Sequence, residues 1–172
     1  MNQAYKTLRM PDNIRGVKME LIKSFTINHD ILKEGVYLSR QDRNTNTYDL
    51  RMKIPNGGDY LTPAASHTIE HLCAMYLRNS KFGQEIVYFG PMGCMTGFYL
   101  VTFDTLSEED MLKTLCGAFE FIKNFSEKEV PGAKKIECGN YLSHDLDGAK
   151  EIAKKYFDII KNLTPEDLAY PQ

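Results

Sequence analysis

Residues 63–80, "PAASHTIEHLCAMYLRNS", follow Thr62 and carry His67, Glu70 and His71 within five positions. Thr62 is a capping residue, and Pro63 falls at the first helical position, where its missing N–H is not needed. The stretch therefore predicts a helix that stops near Gly83. On that helix His67 and His71 lie about 40° apart and one turn from each other, so both imidazoles can reach a single ion. Glu70 sits about 60° to the other side of His67, where it can overhang the ion as a base without being forced to bind it. Ile69, Leu72, Cys73, Tyr76 and Leu77 fall on the opposite side and predict a core face. Arg78 returns to the histidine face roughly three turns after His67, about 16 Å along the axis, where a cation suits a substrate anion.

Outward from this helix the periods change. In "NTYDLRMKIPN" (46–56), Tyr48, Leu50, Met52 and Ile54 alternate with Thr47, Asp49, Arg51 and Lys53, the period of a half-buried strand with Arg51 on its polar face. "EIVYFGPMGC" (85–94) and "MTGFYLVTFDT" (95–105) read as strands meeting at a Gly-Pro turn. "SEEDMLKTLCGAFEFIKNF" (107–125) opens on Ser107 before an acidic first turn, with Met111, Leu112, Leu115, Cys116, Phe119 and Ile122 at helical spacing. A last helix covers "DGAKEIAKKYFDIIKNL" (147–163) and is ended by Leu163-Thr164-Pro165. Strands and helices follow no regular βαβ order. This predicts an α+β fold in one domain over residues 19–172, with an antiparallel sheet packed against helices and a polar arm over residues 1–18.

The 172 residues are 42% apolar, enough for one sizeable core, and the net charge of −2 is spread along the chain without a basic stripe. Nucleic acid and membrane are thereby disfavoured as partners, and a small molecule is expected. No run of 18 apolar residues and no secretory leader stand out, so the expected compartment is the cytoplasm. Cys73, Cys94, Cys116 and Cys138 lie 21 or 22 residues apart without a CxxC, which argues against a disulfide framework.

A catalytic metal takes three protein ligands and keeps an open position. Cys73 and Cys116 lie on apolar helix faces and read as core thiols. Cys94 and Cys138 each adjoin a glycine at a loop junction, and either completes a His2Cys set; spacing alone leaves open which. His144 is a further candidate ligand, although its Asp145 neighbour and the helix start that follows favour a place at the surface or beside a ligand. Three readings of the pattern follow. One is a metal-dependent enzyme with Glu70 as base. A second is an HxxEH zinc hydrolase. The third is a non-enzymatic metal-binding module with a closed four-donor site that uses Cys94 or His144.

Three motifs, "SHTIEHLCA" (66–74), "GPMGCMTGFYLV" (90–101) and "ECGNYLSHDLDGAK" (137–150), resemble in order and spacing the S-ribosylhomocysteine lyases of the LuxS family. The resemblance runs from about Ser24 to Ala153. It implies that His67, His71 and Cys138 bind the metal, usually Fe(II), with zinc or cobalt able to substitute, and that Glu70 and Cys94 are the acid/base pair. It further implies a homodimer with sites at the subunit interface, Ser24, His29 and Arg51 near the ribose, and Arg78 at the homocysteine end. "KSFTINHD" (23–30) is similar to the family's early strand. The chain departs from the family before "PMGC", where Tyr88 and Gly90 replace an acidic and a hydroxyl position, and in a longer leader. The implied reaction moves a sugar carbonyl twice and then eliminates a thiolate, so Cys94 is expected to be held partly as thiolate near working pH.

Overall fold

The computed structural model describes Ile22 and residues 25–172; the expected arm over 1–18 and the candidate Ser24 lie outside the described residues. The elements follow in the order β1 (Gly35–Asp42), β2 (Thr45–Arg51), α1 (Pro63–Asn79), β3 (Ile86–Pro91), β4 (Gly97–Phe103), α2 (Glu108–Lys123) and α3 (Leu146–Ile160). Short 3-10 segments occupy Gly83–Glu85 and Pro165–Leu168. The strands form one antiparallel sheet in the order β1-β2-β4-β3. Arg43 and Asn44 close the β1–β2 hairpin, and Arg43 takes the left-handed conformation (φ 52°) that so tight a connection needs. α1 then carries the chain to the far edge, and β4 returns between β3 and β2.

One face of this sheet, with Val36, Tyr48, Leu50, Phe98 and Leu100, shares a core with Ile69, Leu72, Cys73 and Leu77 of α1, Leu115 and Phe119 of α2 and Tyr156 of α3. The apolar periods of α1 and α2 anticipated this face, and Cys73 is fully buried in it. Cys116 is only half-buried. The predicted caps hold. Thr62 accepts from the Ala65 N–H at 3.2 Å, Ser107 accepts from the Asp110 N–H at 3.2 Å, and each satisfies a donor that the first helical turn leaves free. α1 ends earlier than Gly83, at Asn79, because the Ser80 hydroxyl and N–H both turn back onto the Leu77 carbonyl. α3 runs from Leu146 to Ile160 behind Asp145, whose side chain accepts from the Gly148 N–H at 2.9 Å.

Four expectations are corrected. The polar side of β2 is not solvated: Asp49 and Arg51 are 1% and 3% exposed, because they pair with each other at 2.6 Å under Tyr37 and Tyr170. The strand also ends at Arg51, since the Met52 and Lys53 N–H groups leave the ladder for the Thr96 carbonyl, and Ile54 is exposed. Gly90-Pro91 lies inside β3, an edge strand that tolerates a proline without an N–H to donate, and the turn falls at residues 92–96. Phe25–Asp30 contains no strand, so the described part of the expected early strand (23–30) does not form one, and the first described strand is β1.

Candidate active site

The histidine face of α1 is covered by residues 124–145, the long connection between α2 and α3, which contains no helix or strand. Connections of this length without regular structure are usually functional. His67 donates from Nδ1 to the Ser143 carbonyl at 2.8 Å, and His71 donates from Nδ1 to the Pro131 carbonyl at 2.9 Å. Both rings therefore turn Nε2 to the other side. Gly132 permits the second contact: its φ is +76°, and a Cβ there would stand 3.1 Å from His71 Nδ1. Cys138 brings its Sγ to 3.4 Å from His67 Nε2 and accepts from the Asn140 N–H at 3.4 Å.

His144 joins them. Its ring stacks on His67 with centroids 4.2 Å apart and meets His71 edge-on at 4.9 Å. Its Nδ1 lies 3.2 Å from Thr68 Oγ1. Because that hydroxyl already donates to the Ala64 carbonyl and accepts from the Asp145 N–H, the imidazole is the donor at this contact. His144 Nε2 is buried and has no hydrogen-bond partner among the described residues. The donor atoms of His67, His71, Cys138 and His144 all lie within 4.8 Å of one another. Burial first, then the His67 and His71 charges, hold His144 below the usual histidine range, which keeps its lone pair free. Three imidazoles with Nδ1 committed elsewhere, one of them with its Nε2 orphaned, and one thiol fit a transition metal of borderline softness. Asp145 does cap α3, as expected, but His144 points into the cluster instead of lying at the surface.

A second cluster forms at the ends of β2 and the β3–β4 turn. Cys94 is exposed, and its Sγ lies 3.0 Å from Thr96 Oγ1 and 4.0 Å from Arg51 Nη1. Arg51 Nη1 also donates to Thr96 Oγ1, and Nη2 donates to Asp49 Oδ2 at 2.6 Å. Burial works against the Arg51 charge, but Asp49 outweighs it and keeps the guanidinium ionised. Backbone bonds from Met52 and Lys53 to the Thr96 carbonyl and from Leu61 to the Met95 carbonyl anchor this turn to β2 and the approach to α1. Asp49 and Thr96 did not emerge from the sequence. The only signal for Asp49 was an opposite charge two residues from Arg51 on one strand face.

Other candidates stand apart. Glu70, half-buried on α1, makes no hydrogen bond or ion pair among the described residues. His29 lies in a turn and bonds the Ile27 carbonyl through Nδ1 at 2.9 Å. Arg78 is exposed and donates to the Val87 carbonyl at 3.1 Å and to the Ile86 carbonyl at 3.4 Å. Tyr88 is half-exposed and folds over Gly90, so that a Cβ at 90 would collide with its hydroxyl. Among the described residues no hydrogen bond or ion pair joins Cys94 to the histidine cluster.

The family model described as S-ribosylhomocysteinase (LuxS) matches residues 22–166, which include both clusters. The chain belongs to the LuxS family. A protein of Borreliella afzelii named S-ribosylhomocysteine lyase is 47% identical over 158 residues, covering 89% of this chain and 100% of its own length. Proteins of the same name from Desulfotalea psychrophila and Clostridium beijerinckii are each 45% identical over 159 residues, covering 89% of this chain and 99% of their own. Membership in the LuxS family removes the zinc-hydrolase alternative. No helix among the described residues is long and apolar enough to cross a membrane.

Proposed function

We propose that this chain is an S-ribosylhomocysteine lyase, which converts its substrate to L-homocysteine and 4,5-dihydroxy-2,3-pentanedione. The observation that carries the reading is the meeting of His67, His71 and Cys138 in a LuxS-family chain whose relatives of that name match along nearly their full length. His67 Nε2, His71 Nε2 and Cys138 Sγ hold the metal, Fe(II) in the working enzyme with zinc or cobalt able to replace it, and His144 stands at the same centre. When bound, the metal supplies Lewis acidity to the carbonyl oxygens of the opened sugar.

The opened ribose carries its carbonyl at C1, and the thioether at C5 leaves only when the carbonyl stands at C3. The carbonyl must therefore move twice, each time by removal and return of a proton. The Glu70 carboxylate and Cys94 Sγ carry those protons, and the last removal, at C4, expels the homocysteine thiolate from C5. Arg51 places a positive charge 4.0 Å from Cys94 Sγ, where negative charge appears when the sulfur gives up its proton. The active unit is a homodimer that encloses the substrate between chains, with Ser24, His29 and Arg51 near the ribose and Arg78 near the homocysteine end. The exposure of Cys94, and its lack of any bond to the histidine cluster within one chain, support a site completed across subunits. Free thiols at all four cysteines support a cytoplasmic setting, and the diketone is an autoinducer precursor.

The test is to incubate Fe(II)- or Co(II)-loaded protein with S-ribosylhomocysteine and titrate free thiol. Release above a metal-free control is expected, and release equal to that control ends the lyase reading.

A further inference from the structure

Beyond the matched segment, the C-terminal residues reach the Cys94 side of the molecule. Leu168 is buried in the core, and two residues later Tyr170 stacks on Tyr37 of β1, with ring centroids 4.9 Å apart and 16° between planes. The Tyr170 hydroxyl donates to Asp49 Oδ2 at 2.9 Å, the same oxygen that receives Arg51 Nη2 at 2.6 Å. Burial first, and the Asp49 charge second, push this phenol well above its usual range, so it stays protonated and donates. Among the described residues, Asp49 Oδ1 and Arg51 Nε have no hydrogen-bond partners. The rotation of the carboxylate is thus set by two donors meeting at one oxygen, one of them Tyr170. That rotation in turn fixes where the guanidinium points, and its Nη1 faces Thr96 Oγ1 and Cys94 Sγ. Asp49 and Arg51 are nearly inaccessible, so water cannot easily take over a lost contact.

We propose that Tyr170 is a positioning residue: through its hydroxyl the C-terminal tail locks the Asp49–Arg51 pair in the orientation that holds the guanidinium against Cys94. Its catalytic consequence rests on the reading of Cys94 as a proton carrier. Without the hydroxyl, Asp49 spends its charge on Arg51 alone, and the guanidinium is free to turn from the sulfur. Cys94 then has less positive charge facing it when it loses its proton.

The experiment uses the full-length metal-loaded protein and two variants. Tyr170→Phe keeps the ring on Tyr37 and removes the donor, whereas Tyr170→Ala removes both. Alkylation of Cys94 by iodoacetamide is followed by peptide mass spectrometry from pH 5 to 10, beside kcat and KM for thiol release and a urea midpoint. Tyr170→Phe is expected to move the midpoint of the alkylation profile upward by about half a pH unit or more and to lower kcat about 3- to 10-fold, with KM near wild type and a smaller fall in urea midpoint than Tyr170→Ala. A Tyr170→Phe profile that overlays wild type overturns the proposal, as does a shift seen only in Tyr170→Ala together with lost stability, because the ring alone would then account for it. Cys94→Ala separates this from the underlying reading. If it retains turnover, the proton-carrier role fails and Tyr170 loses its catalytic consequence, even where alkylation shows the tail acting on the sulfur.

Discussion

The Nδ1 atom of His67 on α1 lies 2.8 Å from the carbonyl oxygen of Ser143, 76 residues further along the chain. His71 Nδ1 meets the Pro131 carbonyl in the same way, and His144 Nδ1 meets the Thr68 hydroxyl. In each ring one nitrogen is committed to a fixed acceptor, so the other is presented without rotational search. Outer contacts of this kind orient metal ligands and raise their basicity.

Loss of Cys138 and loss of Cys94 should have opposite signatures. Cys138→Ser is expected to reduce bound metal to a small fraction of one per chain, measured by plasma mass spectrometry after desalting. Cys94→Ala should keep its metal and lose turnover by about 10²-fold or more. Full metal in Cys138→Ser would remove that residue from the ligand set.

His144→Gln should weaken metal binding about 10- to 100-fold, the usual cost of removing a group that supports or joins a metal centre. Competition between the Co(II)-loaded protein and a chromogenic chelator measures it. An affinity equal to wild type would place His144 outside the centre despite the 4.8 Å spacing.

Gly132→Ala forces a left-handed backbone on an L side chain and presses a methyl toward His71 Nδ1. A cost of about 1–3 kcal/mol is expected from urea unfolding, together with weaker metal binding. A variant that matches wild type in both would show that the 131–133 segment can shift away from His71.

The buried Asp49–Arg51 pair is best tested by halves. Asp49→Leu leaves the guanidinium uncompensated and should cost about 3–5 kcal/mol, whereas Asp49→Leu with Arg51→Met should recover most of that stability while losing activity. Urea midpoints of the single and double variants, read together, check it.

In metal-free protein, stability should fall on acidification. His144 is held below its ordinary range, so below about pH 6.5 the unfolded chain takes up a proton that the folded chain resists. Its contribution is present above that pH and is lost as pH drops toward the lower folded value. Urea midpoints of chelator-treated protein at pH 7.5 and 5.5 measure the effect, and His144→Gln should flatten it. Identical pH dependence in the variant would assign the loss to other groups.

Local patterns in the chain carried much of the fold. The apolar period of residues 63–79 put Ile69, Leu72, Cys73 and Leu77 on one face and His67, Glu70 and His71 on the other, and Thr62, Ser107 and Asp145 cap where capping residues stand in the sequence. β1 was missed because its neighbours set its burial, and the polar side of β2 was misread because Tyr37 and Tyr170, distant in sequence, cover it.

What the sequence by itself determined, then, is the helix that carries two histidines and a glutamate, since helical phase depends only on residues a few positions apart. Its three motifs also resembled one family of lyases. Spacing could not choose between Cys94 and Cys138. The tertiary structure separated them, setting Cys138 beside His67 and Cys94 beside Arg51, and it turned His144 inward. That choice depends on residues 124–145, which have no period to read and which hold the site through backbone carbonyls that every residue possesses. Only the folded path of that connection determines which carbonyl meets which imidazole.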